Sequence, residues 1–110
     1  MALIGDAGLD MCLAEIPAAV QNGSAITIVV ANNRTMAIER NRMIKEGLTP
    51  HGVDRLAPSY ASFAELCGGK GFYVSDPVKL EDTIKEAVKL ENLAVVEIET
   101  AAVMIETTKL

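Results

Sequence analysis

The chain is 110 residues long, half of them hydrophobic, with a mean hydropathy of +0.27, so it can bury a core and reads as one compact domain. Fifteen Asp and Glu against ten Lys and Arg give a formal charge of −5 and a pI near 4.8, which leaves no basic stripe for a phosphate backbone and argues against nucleic acid as a partner. No apolar run approaches the ~20 residues of a spanning helix and no secretory leader pattern opens the chain, so a soluble cytoplasmic protein without membrane association is expected.

Met1 to Ile4 is a short apolar run that stops at Gly5, Asp6, Ala7 and Gly8, and reads as a buried strand with a small acid-bearing turn at its carboxyl end. Leu9, Leu13, Ile16, Ala19 and Val20 recur at helical spacing up to the stop signal Asn22-Gly23, with Pro17 predicting a kink or a later helix start. Ala25 to Ala31 (AITIVVA) is β-branched and almost continuously apolar, the mark of a strand buried on both faces. It ends at Asn32-Asn33. Arg34 to Pro58 is polar, with four Arg, and reads as a long, partly mobile excursion in which Met36, Ile38, Met43 and Ile44 share a short helix. Ser59 is placed to cap a helix that ends at Cys67-Gly68-Gly69, and residues 71–75 form a third strand. Asp76-Pro77 opens a further helix with acidic residues early and Lys85 and Lys89 late, the order the helix dipole favours. Residues 93–98 form a fourth strand, and the tail 101–110 is either a short helix or extended.

With no Trp, two Tyr and two Phe, the core is built from aliphatic residues and Met. The alternation of strands and helices predicts an open, mostly parallel α/β sheet with crossover helices on both faces and all strand carboxyl ends on one edge. Cys12 and Cys67 lie far apart, outside any metal-ligand spacing, and are expected to be reduced, buried thiols.

Ligands of such sheets bind beyond the strand carboxyl ends. Two of those ends carry hard oxygen donors, Asp6 after the first strand and Asn33 after the second, a set suited to octahedral Mg²⁺ completed by water and ligand phosphates. Gly5, Ala7 and Gly8 permit close backbone approach, and the helix that follows presents main-chain N–H groups to a phosphate. Each turn alone is also what an ordinary helix cap or strand end looks like.

Taken together, Gly5-Asp6-Ala7 and Asn32-Asn33, with residues 8–31 between them, resemble the Gly-Asp-Gly…Asn-Asn signature of thiamine-diphosphate-dependent enzymes. The resemblance extends through Gly5 to Met11, Glu15-Ile16, Ile26 to Asn33 and Ser62 to Gly71, the last block being similar to a helix-to-strand turn of pyruvate oxidases and acetolactate synthases. Asn33-Arg34-Thr35 is similar, more locally, to 2-oxoacid:ferredoxin oxidoreductases.

The resemblance implies a single C-terminal cofactor-binding domain over 1–110, lacking its first strand-helix unit and its partner pyrimidine-binding domain, and hence a fragment or a split subunit. It implies Asp6, Asn33 and the Thr35 main-chain carbonyl as Mg²⁺ ligands. Gly5, Ala7, Gly8 and Leu9 then line the diphosphate and pyrimidine side, with Met36 and Ile38 facing the thiazolium or substrate. Ala7 departs from the signature, which has Gly there, and its methyl group narrows the approach. Glu39 falls where some 2-oxoacid decarboxylases carry a proton-transferring Glu; an exposed helix-surface Glu beside Arg40 is the alternative. His51, the single histidine, lies in the polar excursion and reads as an exposed loop residue. The implied activity is decarboxylation of a pyruvate-like 2-oxo acid followed by oxidation or carboligation, with FAD only in a full enzyme, a homo-oligomeric assembly, and an isolated chain that is catalytically silent. A fragment of a 2-oxoacid decarboxylase or of a ferredoxin oxidoreductase, or a non-catalytic α/β interaction module, are the competing expectations.

Overall fold

A computed structural model describes residues 1–56 and 58–103. Four strands, β1 (Ala2–Gly5), β2 (Thr27–Asn32), β3 (Lys70–Val74) and β4 (Ala94–Glu99), form one sheet in the order β1-β2-β4-β3, every neighbouring pair parallel. All four expected strands are present and their carboxyl ends share one edge.

Between β1 and β2 lie two short helices, α1 (Asp6–Asp10) and α2 (Glu15–Gln21), instead of one. Pro17 sits in the first turn of α2, where its missing N–H costs no hydrogen bond, so the chain restarts its helix just ahead of the proline. The excursion after β2 carries α3 (Ala37–Lys45) and then returns, its two ends pinned together. Thr35 and Asp54 form an antiparallel bridge, and the Met36 N–H donates to the Val53 carbonyl at 2.8 Å. The expected loose segment is therefore a closed loop over the strand ends. Helix α4 (Tyr60–Leu66) is capped by Ser59, whose hydroxyl accepts from the Ser62 N–H, and a 3₁₀ turn at Pro77–Lys79 leads into α5 (Leu80–Ala87) behind the Asp76 cap.

The connection β1→β2 runs one way along the sheet and β3→β4 the other, so right-handed crossovers put their helices on opposite faces. On one face Leu9, Ile16, Tyr60 and Ala64 pack on Val30 and Val95; on the other, Ala87, Leu80 and Ile84 of α5 pack with Val29, Val74 and Val96. Alternate residues of β2 and β4 serve the two cores, which is why these strands are nearly all apolar.

Helix α5 packs on β3 and β4. Leu3, in register with Val29 and so on the face of α5, is 75% exposed. The first strand, expected to be buried, is thus an edge strand with one bare face. The two thiols also differ from expectation. Both are free, but Cys12 is exposed in the turn after α1, where no neighbouring element covers it, and Cys67 is only half-buried against the core. Residues 104–110 of the tail lie outside the described residues. Among the described residues no helix is long and apolar enough to cross a membrane.

Candidate functional site

Asp6 is the first residue of α1, directly beyond β1, and is 3% exposed. A carboxylate so buried needs donors around it. Its Oδ1 accepts from the Ala7 N–H at 2.9 Å and its Oδ2 from the Arg34 N–H, also at 2.9 Å, which joins the ends of β1 and β2. Arg34 adopts a φ of 60°, a left-handed conformation that turns the chain sharply just past this N–H. The same N–H lies 3.1 Å from the Asn32 Oδ1. Asn33, one residue later, uses its Oδ1 to accept from the Thr35 N–H at 3.1 Å, while the Thr35 hydroxyl donates to the Val53 carbonyl at 2.9 Å. The Thr35 side chain thus faces the returning loop.

Gly5, Asp6, Ala7, Gly8, Asn33, Thr35, Met36, Ile38 and Glu39 border one cavity of about 300 Å³, together with Met11 and Ala37. Nine of the ten expected site residues therefore meet in one place. Leu9 does not border it, because its side chain fills the core on the opposite side of α1 and only its main chain is available to a ligand there. Gly8 has a packing reason to be glycine as well, since a Cβ would lie 3.1 Å from Ile4 Cγ1. Glu39 and Ile38 are exposed at the cavity rim. Arg40, next to Glu39 on α3, reaches toward Asp54 at 3.8 Å. His51 is exposed and does not border the cavity.

Behind the cavity lies a polar cluster with no counterpart in the sequence reading. Arg55 pairs through Nη2 with Asp10, and its Nη1, buried and without a hydrogen-bond partner among the described residues, is 3.8 Å from the Asp6 Oδ2. The Tyr60 hydroxyl lies 2.7 Å from Asp10 Oδ1 and 3.2 Å from the Asp6 carbonyl, and burial pushes its phenol above the ordinary value of 10.0, against the lowering effect of Arg55. Glu97, in the middle of β4, is 2% exposed; its Oε1 accepts from Asn32 Nδ2 at 2.8 Å and its Oε2 from the Ala61 N–H at 3.0 Å and the Ser59 hydroxyl at 3.2 Å. A lone Glu inside the apolar run of β4 was the signal for it, because a carboxylate there is buried only if it is paired.

The donor set can hold a hard cation. Each Asp6 oxygen and the Asn33 Oδ1 accept one main-chain N–H and keep a further lone pair, and neither thiolate nor imidazole lines the cavity, whose sulfurs are the weakly ligating thioethers of Met11 and Met36.

A parallel α/β sheet with a buried carboxylate and an amide oxygen around a cavity at its carboxyl edge defines a ligand-binding domain of the doubly wound class. Residues 1–98 match the family described as thiamine pyrophosphate enzyme, C-terminal TPP binding domain, and the chain belongs to that family. It is 32% identical over 99 residues to YdaP of Bacillus subtilis (strain 168), named as a thiamine pyrophosphate-containing protein; the match covers 89% of this chain and 17% of that one. It is 31% identical over 97 residues to the mitochondrial acetolactate synthase catalytic subunit of Saccharomyces cerevisiae, covering 86% of this chain and 14% of the relative. Among solved structures, a thiamine diphosphate-dependent 4-hydroxybenzoylformate decarboxylase of Rhodococcus jostii RHA1 superposes with a TM-score of 0.80 at 25% identity, over 90% of this chain and 19% of that one. The benzoylformate decarboxylase of Polynucleobacter necessarius shares the fold, with a TM-score of 0.84 at 18% identity over 94% of this chain and 20% of that one. The chain thus spans less than a fifth of the curated relatives it matches.

Proposed function

We propose that this domain holds Mg²⁺ and thiamine diphosphate for an enzyme that acts on 2-oxo acids, of the acetolactate synthase and pyruvate oxidase type. The observation that carries it is the junction of β1 and β2, where the Arg34 N–H binds Asp6 and brings that carboxylate to the same cavity as Asn33 and Thr35. Asp6, the Asn33 side-chain oxygen and the Thr35 main-chain carbonyl hold the metal. Gly5 and the main chain of Ala7, Gly8 and Leu9 lie along the diphosphate, with Met36 and Ile38 against its apolar part. Bound here, thiamine diphosphate supplies an electron sink for the loss of CO₂ from a 2-oxo acid. Met36, Ala37 and Ile38 supply an apolar wall, and Glu39 at the rim gives or takes a proton at its carboxyl group. The likeness to acetolactate synthase supports the carboligating branch. FAD belongs only to a full enzyme of the oxidising kind.

Family chemistry places the group that activates the cofactor in a separate pyrimidine-binding domain, so these residues alone bind weakly and turn nothing over. That domain, or a second copy of this chain, meets it beside the Asp6 loop. Titration calorimetry of the chain with thiamine diphosphate tests the assignment. Heat of binding is expected only when Mg²⁺ is present, and Asp6→Ala is expected to abolish it. Binding that survives either removal of Mg²⁺ or Asp6→Ala overturns the metal bridge.

A further inference from the structure

Glu97 is nine-tenths buried and more, on a strand that contributes nothing to the cavity lining, yet it is bonded on both oxygens. Every one of its partners donates: Asn32 Nδ2, the Ala61 N–H and the Ser59 hydroxyl. An amide has one donating and one accepting end, so an Asn32 that gives its NH₂ to Glu97 must turn its carbonyl oxygen the other way. There it meets the Arg34 N–H at 3.1 Å, the same N–H that donates to Asp6 Oδ2 at 2.9 Å. With the opposite amide orientation Asn32 would set an NH₂ against the Arg34 N–H, two donors facing each other. The left-handed turn at Arg34 would then lose an acceptor that helps to hold it.

We propose that Glu97 is a positioning residue for the cation site: through Asn32 it fixes the direction of the Arg34 N–H and so couples the N-terminus of α4 to the placement of Asp6, Asn33 and Thr35. The role in cation binding rests on the function proposed above, whereas the relay itself is a property of the chain without any ligand. Glu97→Gln keeps the size of the side chain and replaces one acceptor by a donor. Whichever way the new amide is turned, its NH₂ faces either Asn32 Nδ2 or the donors at Ala61 and Ser59.

The test is amide hydrogen exchange of the full 110-residue chain, free of cofactor, followed by calorimetry with Mg²⁺ and thiamine diphosphate. In Glu97→Gln the Arg34 amide is expected to exchange about tenfold faster, the effect of one buried donor left unmatched, while Val95 and Val96 in the sheet keep their protection. Asn32→Ala cuts the relay without touching the bonds of Glu97 to α4, and is expected to deprotect Arg34 but not Ala61. Ser59→Ala removes a donor from the same carboxylate on the α4 side, and is expected to lower the melting temperature without changing exchange at Arg34. Where the wild-type chain binds Mg²⁺ with thiamine diphosphate, Glu97→Gln and Asn32→Ala are each expected to weaken that binding about tenfold and Ser59→Ala to leave it unchanged. Should Glu97→Gln lose protection throughout, Asn32→Ala decides alone. Arg34 protection that persists in Asn32→Ala overturns the relay, whether or not the cofactor binds. A wild-type chain that shows the relay in exchange but no Mg²⁺-dependent binding counts against the proposed function and leaves the relay standing.

Discussion

Tyr60 shows how one side chain ties the ligand edge to the core. Its ring is fully buried against the core while its hydroxyl reaches Asp10 and the carbonyl of Asp6, so a phenylalanine there fills the same space and leaves those groups one donor short. Tyr60→Phe is expected to cost about 1 kcal/mol at neutral pH. The phenol is held above its ordinary value of 10.0, chiefly because burial penalises the charged form. In the pH range between the unfolded and the folded pKa the native state keeps a proton that the unfolded state has lost. The contribution of Tyr60 is therefore complete below about pH 10 and disappears as pH rises through the folded value. Urea unfolding at pH about 8 and about 11 is expected to show a larger alkaline loss of stability in the wild type than in Tyr60→Phe; equal losses would mean that another group titrates there.

Among the elements, α4 and β3 approach each other closely. A Cβ on Gly71 would lie 2.1 Å from the Ala61 carbonyl oxygen, a main-chain atom that cannot swing aside, whereas a Cβ on Gly5 would meet nothing within 4 Å. Gly71→Ala is expected to destabilise the fold by about 3 kcal/mol, by forcing α4 off the sheet. Gly5→Ala is expected to change stability by less than about 0.5 kcal/mol. Chemical denaturation of both variants checks the contrast, and similar midpoints would show that α4 accommodates the methyl group. The same helix bears the N–H that Glu97 accepts, so displacement of α4 is expected to be felt at Arg34 as well.

For the molecule as a whole, the feature with most consequence is the bare flank of β1. Among the described residues its outer edge has no neighbouring strand, Leu3 is 75% exposed, and Met1 beside it is 78% exposed, while the Asp6 loop lies at the end of the same strand. An apolar edge of this kind is a template for another chain. The wild-type protein is expected to self-associate with this edge at the contact, and Leu3→Lys to shift it to monomer without loss of secondary structure. Light scattering that gives a monodisperse species of 11.7 kDa for the wild type at high concentration excludes this association.

How far the sequence alone reached depends on the range of the interactions involved. The second and fourth strands, read at 25–31 and 93–98 and found at 27–32 and 94–99, the Ser59 and Asp76 caps, and the break at Pro17 are encoded within a few neighbouring residues, so composition and spacing were enough to place them within two residues. Asp6 and Asn33 were legible too, because parallel crossovers bring all strand ends to one edge whatever the details of packing. The sequence could not show that β1 lies uncovered, since exposure of Leu3 follows from where α5 crosses a sheet assembled from distant segments. Nor could it pair Glu97 with Asn32, 65 residues away, or set Arg55 behind Asp6. Those contacts depend on register between strands that neighbour each other in the sheet but lie far apart in sequence, and on a loop that folds back through Thr35 and Asp54, and no local pattern carries that information. Local chemistry chose the elements and the site's oxygen donors; tertiary structure decided which buried groups hold those donors in place, because a buried carboxylate is stable only where long-range folding brings donors to it.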